Sequence, residues 1–295
     1  MSDLASTKRL FDRVTNSGPL LEQSKERLKQ AIELSPNDIS LWQRLGEVYR
    51  QQGHFERLLS CCEEVLRLDP NHQISKRLMT IFTNQDLVAD STNDGAQPIP
   101  FVLQDNFLTD TEENKVWQCV EENQQQFLQA QVSGSRVNLD TRQSHVLHKN
   151  QLGHIGERFI NKIEQTLPQI FSKLAVDNFT VGQTELQLTM HVHGDFFRVH
   201  RDSSAKEDSL ASRQVTFVYY FYQPPKQFEG GDLLLFDTDG KANAYASTYT
   251  RIVPVHNSVI FFPSCSYHQV TPVMLQSDDF RGGRFTLNGW LHPKD

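Results

Sequence analysis

The period of the hydrophobic pattern changes along this chain, and that change restricts the folds it can adopt. Residues 1–90 carry apolar side chains at helical spacing, whereas short apolar runs separated by Pro, Gly, Asp and Ser clusters follow from Thr180 onward. The strand candidates are Glu185–Val192, Val215–Tyr222, Asp232–Phe236, Ser258–Phe262 and Arg284–Leu291. Helices first and many short strands afterwards predict an α+β chain. We expect its second part to be a β-sandwich or barrel with flanking helices, not a doubly wound sheet.

A polar stretch with Gly and Pro punctuation separates the two parts of the chain. It predicts a linker over residues 91–99, between a helical region at 1–90 and a second domain at 100–295.

The start of the second domain combines strand and helix signals. We expect a strand over Phe101–Leu108, a helix over Thr109–Phe127 that Thr109 or Asp110 caps, and a helix over Leu152–Leu167. Residues 133–150 have no clear period. They are either a mobile substrate loop or an irregular hairpin.

Composition excludes several classes of protein. No apolar run approaches the roughly 18 residues of a membrane span, and the first nine residues contain no apolar signal core. The four cysteines lack paired metal spacing, so we expect a reduced, cytoplasmic protein. Of the net charge of −7, residues 1–90 contribute little, with 12 basic and 13 acidic residues. The acidic remainder disfavours nucleic acid as a partner.

Four residues near the C-terminus suit one kind of metal chemistry. His200, Asp202 and the more distant His268 offer two imidazoles and one carboxylate, which is the ligand set of non-haem Fe(II) oxygenases. Arg284 lies sixteen residues further on, and its planar fork suits the distal carboxylate of 2-oxoglutarate. Thr286 falls on the same strand face and adds a hydroxyl donor.

A second His-x-Asp pair, His193 and Asp195, offers an alternative metal site. Gly194 interrupts that pair, whereas His200 follows the aromatic-rich run Phe196–Val199. This context favours His200 and Asp202 as the ligands.

Six motifs in the second domain occur in an order that extends this interpretation. They are Gly194–Asp202, Thr216–Tyr220, Phe228–Leu233, Ile260–Pro263, His268–Pro272 and Arg284–Trp290. In this order they resemble the prolyl-4-hydroxylase-like group of 2-oxoglutarate/Fe(II) oxygenases, over about two thirds of the chain. The resemblance implies a double-stranded β-helix (jelly roll) with the metal inside one open end. His191 stands where many members have a tyrosine that binds the cosubstrate, so we count it among the cosubstrate residues.

The helical region resembles a different family. Between Ile39 and His72 it carries the tetratricopeptide pattern Trp42, Leu45, Gly46, Tyr49, Gly53, Phe55, Leu66, Leu68 and Pro70. Residues 31–37 repeat the ending at 65–71, so the unit is about one full repeat with partial neighbours. Two interpretations stay open, a cap on the second domain and a groove for a peptide.

Together these resemblances imply an Fe(II)/2-oxoglutarate-dependent hydroxylase of prolyl residues in a peptide or protein. Ascorbate is a candidate auxiliary reductant. No catalytic residues beyond the metal ligands are predicted. The alternatives are a hydroxylase of a free or carrier-bound small molecule, and a tetratricopeptide adaptor that does not turn over.

Overall fold

The computed structural model describes residues 4–87, 95–131, 137–204, 208–242, 244–277 and 279–294. The helical region contains α1 (Leu4–Thr15), α2 (Gly18–Leu34), α3 (Ile39–Gln52), α4 (Phe55–Leu68) and α5 (Gln73–Phe82). Among the described residues, no helix is both long enough and apolar enough to cross a membrane.

Local signals set the limits of α3 and its packing on α4. The Asp38 side chain caps the N-terminus by accepting from the Ser40 backbone N–H at 2.9 Å. Gly53 ends the helix with φ at 79°, a left-handed conformation that glycine adopts without strain. Gly46 lies so close to α4 that an added Cβ would sit 3.3 Å from the Cβ of Cys61. The predicted repeat therefore folds as two closely packed helices.

The second domain contains strands and helices in mixed order. They are β1 (Val102–Asp105), α6 (Asp110–Glu122), β2 (Leu128–Gln129), β3 (Arg142–Gln143), β4 (His145–His148), α7 (Lys149–Thr166), α8 (Phe171–Leu174), β5 (Val181–His191), β6 (Phe196–His200), α9 (Asp208–Ala211), β7 (Val215–Phe221), β8 (Phe228–Gly230), β9 (Leu233–Asp239), β10 (Ala244–Ile252), β11 (Ser258–Pro263), β12 (His268–Val270), β13 (Val273–Leu275) and β14 (Arg284–Pro293). Short 3₁₀ turns cover Gln124–Gln126, Leu167–Gln169 and Phe280–Gly282.

These strands form two antiparallel sheets. The major sheet has the order β1-β11-β7-β14-β5-β4-β2, and the minor sheet has the order β10-β9-β12-β6-β3. β8 and β13 pair separately as a two-stranded ribbon. The predicted α+β class, with helices ahead of a jelly roll, is confirmed.

Several boundaries differ from the sequence-based expectation. The helix predicted to reach Phe127 ends at Glu122, because a 3₁₀ turn follows, and Thr109 is its cap within a complete capping box. β10 was not predicted, since it is rich in polar residues and a register shift between Tyr245 and Tyr249 interrupts its alternation.

Two of the predicted irregular segments lie partly outside the described residues. Within the predicted linker, residues 91–94 are not described, while Gln97 pairs with Thr238 of β9 through two backbone hydrogen bonds of 3.1 and 3.0 Å. Within the segment 133–150, residues 133–136 are not described, and the remainder supplies β3 to the minor sheet and β4 to the major sheet. The division into 1–90, 91–99 and 100–295 stays a prediction.

Alternation along the major sheet separates an apolar layer from a polar one. Phe217 and Tyr219 of β7 and Phe285 and Leu287 of β14 face the main hydrophobic core, together with residues of α6 and α7. The residues between them face the opposite way, toward the minor sheet. The major sheet therefore has one buried apolar face and one face available for polar groups.

The helical region packs against the outer face of the minor sheet. Val14 of α1 joins an apolar cluster with Leu234, Phe236 and Tyr249. The Arg50 guanidinium of α3 donates to both carboxylate oxygens of Asp237 on β9, at 2.7 and 2.6 Å. Because the two side chains are only 2% and 7% exposed, this ion pair is buried between the helices and the sheet.

We expect Arg50→Met to lower the free energy of unfolding by about 3–5 kcal/mol, because it leaves the Asp237 carboxylate buried without a cation. The matched control is Arg67→Met, which removes an exposed pair with Glu64 and should cost less than about 1 kcal/mol. Urea unfolding of the full chain, followed by circular dichroism, measures both. Equal losses in the two variants would contradict the role of the buried pair.

Candidate functional site

A pocket of about 530 Å³ lies between the inner faces of the two sheets. β5, β7 and β14 contribute its wall on the major sheet, and β6, β9 and β12 contribute the wall on the minor sheet. All six residues that the sequence nominated line this pocket: His191, His200, Asp202, His268, Arg284 and Thr286.

Strand pairing brings the three candidate metal ligands together. His200 at the end of β6 is the direct cross-strand partner of His268 at the start of β12. Asp202 follows β6, and its carboxylate oxygens lie 3.6 Å from His200 Nε2 and 3.4 Å from His268 Nε2. One donor atom from each residue falls within 4.8 Å of the others, so the group could hold a metal ion.

Backbone carbonyls fix the orientation and the tautomer of both imidazoles. His200 Nδ1 donates to the Arg198 carbonyl at 2.7 Å, and His268 Nδ1 donates to the Ser266 carbonyl at 3.0 Å. In each neutral ring the proton is therefore on Nδ1, and Nε2 presents a lone pair to Asp202. Three acceptor groups thus converge, an arrangement that a cation between them would stabilise.

Burial controls the charges at this centre. It lowers the pKa of His268 to about 4, and His200 contributes in the same direction, so the His268 imidazole is neutral at pH 7. Burial alone would raise the pKa of Asp202, but the facing His268 and His200 outweigh it and hold that pKa below its ordinary value. The Thr216 hydroxyl also donates to Asp202 Oδ2 at 2.9 Å. Neutral imidazole and ionised carboxylate are the forms that bind a divalent metal.

Arg284 lies deeper in the same pocket. It begins β14, opposite His191 of β5, and its Nη1 donates to His191 Nδ1 at 3.2 Å. Burial, and then the positive charge of Arg284, lowers the pKa of His191 well below its ordinary value, so His191 accepts as a neutral ring. Among the described residues, no carboxylate makes an ion pair with Arg284.

A glycine makes room for the Arg284 side chain. Gly231 has φ at 65°, and an added Cβ would lie 2.4 Å from Arg284 Cδ. No other residue type fits here without displacing the arginine. Thr286, the other predicted donor of β14, directs its hydroxyl to Asn288 Oδ1 at 3.3 Å, and Thr189 donates to the same oxygen at 2.8 Å.

Two pocket residues were not assigned to the site from the sequence. The Tyr220 hydroxyl is buried near the Arg284 guanidinium, but neither it nor Arg284 Nε makes a hydrogen bond with a described residue. Burial raises the pKa of Tyr220 to about 12, so the hydroxyl keeps its proton. Alternation along β7, which turns Thr216, Val218 and Tyr220 to one face, is the signal that could have identified it.

Arg142 of β3 is the second such residue. Its Nε donates to the Ser144 hydroxyl at 2.8 Å, and its guanidinium lies 4.9 Å from the ring centroid of Phe197. Burial lowers the pKa of Arg142 to about 10, which leaves it positively charged at pH 7. A two-residue strand has no period, so the sequence offered no signal for its position.

The alternative pair His193 and Asp195 does not join this pocket. His193 is exposed and accepts from the Leu275 backbone N–H at 3.3 Å. Asp195 is buried in the turn before β6, where its carboxylate accepts from the Val192 backbone N–H at 3.0 Å. Both side chains therefore shape the turn.

Comparison with known proteins agrees with this geometry. Residues 186–292 match the model of the 2OG-Fe(II) oxygenase superfamily, and residues 39–72 match that of the tetratricopeptide repeat. A PKHD-type hydroxylase of Synechocystis, itself uncharacterized, is 37% identical over 191 residues, covering 64% of this chain and 62% of that protein. The chain thus spans less than two thirds of that relative's length.

Two solved structures are similar to the second domain. A prolyl hydroxylase from Trichoplax adhaerens, in complex with a peptide fragment of hypoxia inducible factor, is 17% identical with a TM-score of 0.50. The match covers 65% of this chain and 83% of that one, and shows a shared fold. A Pseudomonas putida prolyl-4-hydroxylase is 20% identical with a TM-score of 0.49, over 66% of this chain and 93% of that one.

The family predicted from the motifs is confirmed at the level of domains. Residues 186–292 are a 2OG-Fe(II) oxygenase domain, and residues 39–72 ahead of it are a tetratricopeptide repeat.

Proposed function

We propose that this chain is an Fe(II)/2-oxoglutarate-dependent hydroxylase whose substrate is a prolyl residue in a peptide or protein. One observation carries the proposal. Two lone-pair nitrogens and a carboxylate converge at one end of a pocket, and a buried arginine without a carboxylate partner among the described residues lies at the other end.

His200, Asp202 and His268 fit an Fe(II) ion by the chemistry of their donor atoms. Two imidazole nitrogens and one carboxylate on a single side leave further coordination positions open to exogenous ligands. The carbonyls of Arg198 and Ser266 hold the two rings in the tautomer that binds metal.

Arg284 and Tyr220 fit the distal carboxylate of 2-oxoglutarate. The guanidinium offers a planar fork, and the nearby hydroxyl is a buried donor without a described partner. Buried unsatisfied donors are costly, so an acceptor placed between them gains their full hydrogen-bonding energy. The neutral His191 imidazole supports Arg284 from the side without adding charge.

The bound metal and cosubstrate together supply the oxidative decarboxylation of 2-oxoglutarate to succinate and CO₂ that is coupled to hydroxylation of a C–H bond. The chain's own residues hold and orient the reactants. Val218 and Leu233 give the pocket apolar walls that limit water, while Arg284 fixes the orientation of the cosubstrate along β14.

The segment before β4 supports a polypeptide substrate. Leu128, Val137 and Leu139 are 60%, 51% and 52% exposed, although large apolar side chains are usually buried. They flank Arg142, which reaches into the pocket. An apolar surface next to a pocket that contains a charged donor suits the side chains and carbonyls of a peptide.

The helical region supports a polypeptide partner as well. A groove of about 840 Å³ lies between α3, α4 and α5, with Leu58, Val65 and Leu78 as apolar lining and Gln43 and Arg44 as polar lining. A concave apolar surface with polar edges is typical of the peptide-binding faces of helical repeats.

The first prediction for this function concerns metal binding. His268→Ala should weaken Fe(II) binding by more than about 100-fold, since losing even an outer partner of a ligand costs about 10–100-fold. His193→Ala should bind Fe(II) as the unmodified chain does. Anaerobic titration with Fe(II) measures both. If the His193 variant loses the metal and the His268 variant keeps it, the ligand assignment is wrong.

The second concerns the cosubstrate. Arg284→Gln removes a charged fork worth about 1.5–3 kcal/mol, so the Kd for 2-oxoglutarate should rise by about one to two decades. The control is Arg281→Gln, three residues earlier, where the side chain is exposed and pairs with Glu121. Calorimetric titration of the Fe(II)-loaded chain under nitrogen gives both constants. An unchanged Kd in the Arg284 variant would remove this role.

The third concerns the substrate. The chain, supplied with Fe(II), 2-oxoglutarate, O₂ and ascorbate, should add about 16 Da to proline-containing peptides and release succinate in step with product. Free proline and other metabolites serve as the comparison set in the same mass-spectrometric assay. Modification of metabolites alone would favour the small-molecule alternative. Absence of succinate with every candidate would favour the adaptor.

A further inference from the structure

Asp232 is a buried carboxylate next to the cosubstrate arginine. It follows Gly231, whose backbone lies against the Arg284 side chain, and it is only 6% exposed. Burial lowers the pKa of Arg284, and attraction to Asp232 is among the effects that raise it. Asp232 is therefore close enough to compete for the guanidinium that a bound dicarboxylate would use.

A second arginine occupies Asp232 instead. Arg251 of β10 donates from Nη1 to Asp232 Oδ2 at 2.7 Å. The backbone of Asp232 is also fixed, since its N–H donates to the Thr271 hydroxyl at 2.9 Å and its carbonyl accepts from the Thr271 N–H at 3.0 Å. Arg251 thus holds the carboxylate while the pairing with Thr271 holds the main chain.

The tetratricopeptide repeat determines where Arg251 lies. Arg251 Nε donates to the Gln51 carbonyl at 2.8 Å, in the last turn of α3, where helix carbonyls lack partners within the helix. The approach is close, because a Cβ added at Gly53 would lie 3.3 Å from the Arg251 carbonyl oxygen. A chain of contacts therefore leads from α3 through Arg251 and Asp232 to Arg284.

We propose that Arg251 is a positioning residue that keeps Arg284 free for 2-oxoglutarate by holding Asp232, and that α3 fixes Arg251 for this purpose. The inference rests on the proposed function and assigns the repeat a part in cosubstrate affinity. Without Arg251, Asp232 would be a buried carboxylate in need of a cation, and Arg284 lies beside it. A carboxylate bound to Arg284 from within the protein would compete with the cosubstrate.

Lys226 is the other described cation near Asp232. Burial lowers its pKa, with attraction to Asp232 acting in the opposite direction, and its ammonium lies 4.6 Å from the ring centroid of Phe228. If Lys226 took over Asp232 when Arg251 is removed, the affinity for 2-oxoglutarate would not change. That outcome would overturn the proposal.

The test measures the Kd for 2-oxoglutarate in the full chain loaded with Fe(II) under anaerobic conditions. Arg251→Gln should raise the Kd by about tenfold, within the range of coupling between sites in proteins. Arg251→Lys, which keeps a cation for Asp232, should recover most of this loss. Asp232→Asn should bind as tightly as the unmodified chain, or more tightly. Arg67→Gln is the matched surface control and should change nothing.

The double variant distinguishes positioning from a structural role. If Arg251 acts by holding Asp232, Arg251→Gln combined with Asp232→Asn should match Asp232→Asn alone, because no carboxylate remains to compete. This comparison applies even if Arg251→Gln does not fold by itself, since the double variant leaves no carboxylate unpaired. A double variant markedly weaker than Asp232→Asn would overturn the proposal.

The same titration separates this inference from the proposed function. An unmodified chain that fails to bind 2-oxoglutarate would overturn both. An unmodified chain that binds it, together with an Arg251→Gln variant of equal affinity, would overturn the inference alone. Fe(II) affinity should be the same in all variants, and a loss of Fe(II) binding in Arg251→Gln would mark a general disturbance of the pocket and contradict the specific role.

Discussion

The antiparallel pairing of β14 with β5 determines which residues face the pocket. Arg284 pairs with His191, and Thr286 pairs with Thr189, so polar residues of both strands share one face. Because side chains alternate, a slip of one residue would put Phe285 into the pocket and Arg284 into the hydrophobic core. The approach of the two strands is tight at Gly289, where a Cβ would lie 1.9 Å from the Glu185 carbonyl oxygen. Only glycine fits that position in this register.

The buried arginines of this fold differ in how their charge is compensated. Arg50 has both oxygens of Asp237, and Arg251 has one oxygen of Asp232. Arg284 has a neutral imidazole and an aromatic ring, which compensate its charge incompletely. Burying a cation costs free energy unless an anion accompanies it. An incompletely compensated cation inside an otherwise well-paired interior is the electrostatic feature that most favours an anionic ligand.

Residue types and their order were enough to nominate the candidate ligands. Metal coordination needs particular donor atoms, and few combinations of His200, Asp202, His268 and Arg284 have another explanation. The choice between two His-x-Asp pairs was harder, because both satisfy the same strand geometry. The cross-strand pairing of β6 with β12 distinguishes them, and it joins residues far apart in sequence.

Other parts of the site and fold could not be read from the sequence for physical reasons. Along β7 both faces carry aromatic residues, so alternation alone does not tell which tyrosine faces the pocket. Arg142 lies on a strand of two residues, too short for any period. β10 is rich in polar residues because it lies at the edge of the minor sheet, and its bulge breaks the pattern. The Arg251–Asp232 pair depends on tertiary contact alone.

The buried pair of Arg50 and Asp237 has a consequence for modularity. Sequence families divide the chain into a repeat at 39–72 and an oxygenase domain at 186–292, as if each could be exchanged. Yet a carboxylate on β9 of one part requires a guanidinium on α3 of the other. A substitute repeat would have to supply that cation at the same place. Recombination between such proteins is therefore constrained by charge at the joint, and the two parts are expected to be inherited together.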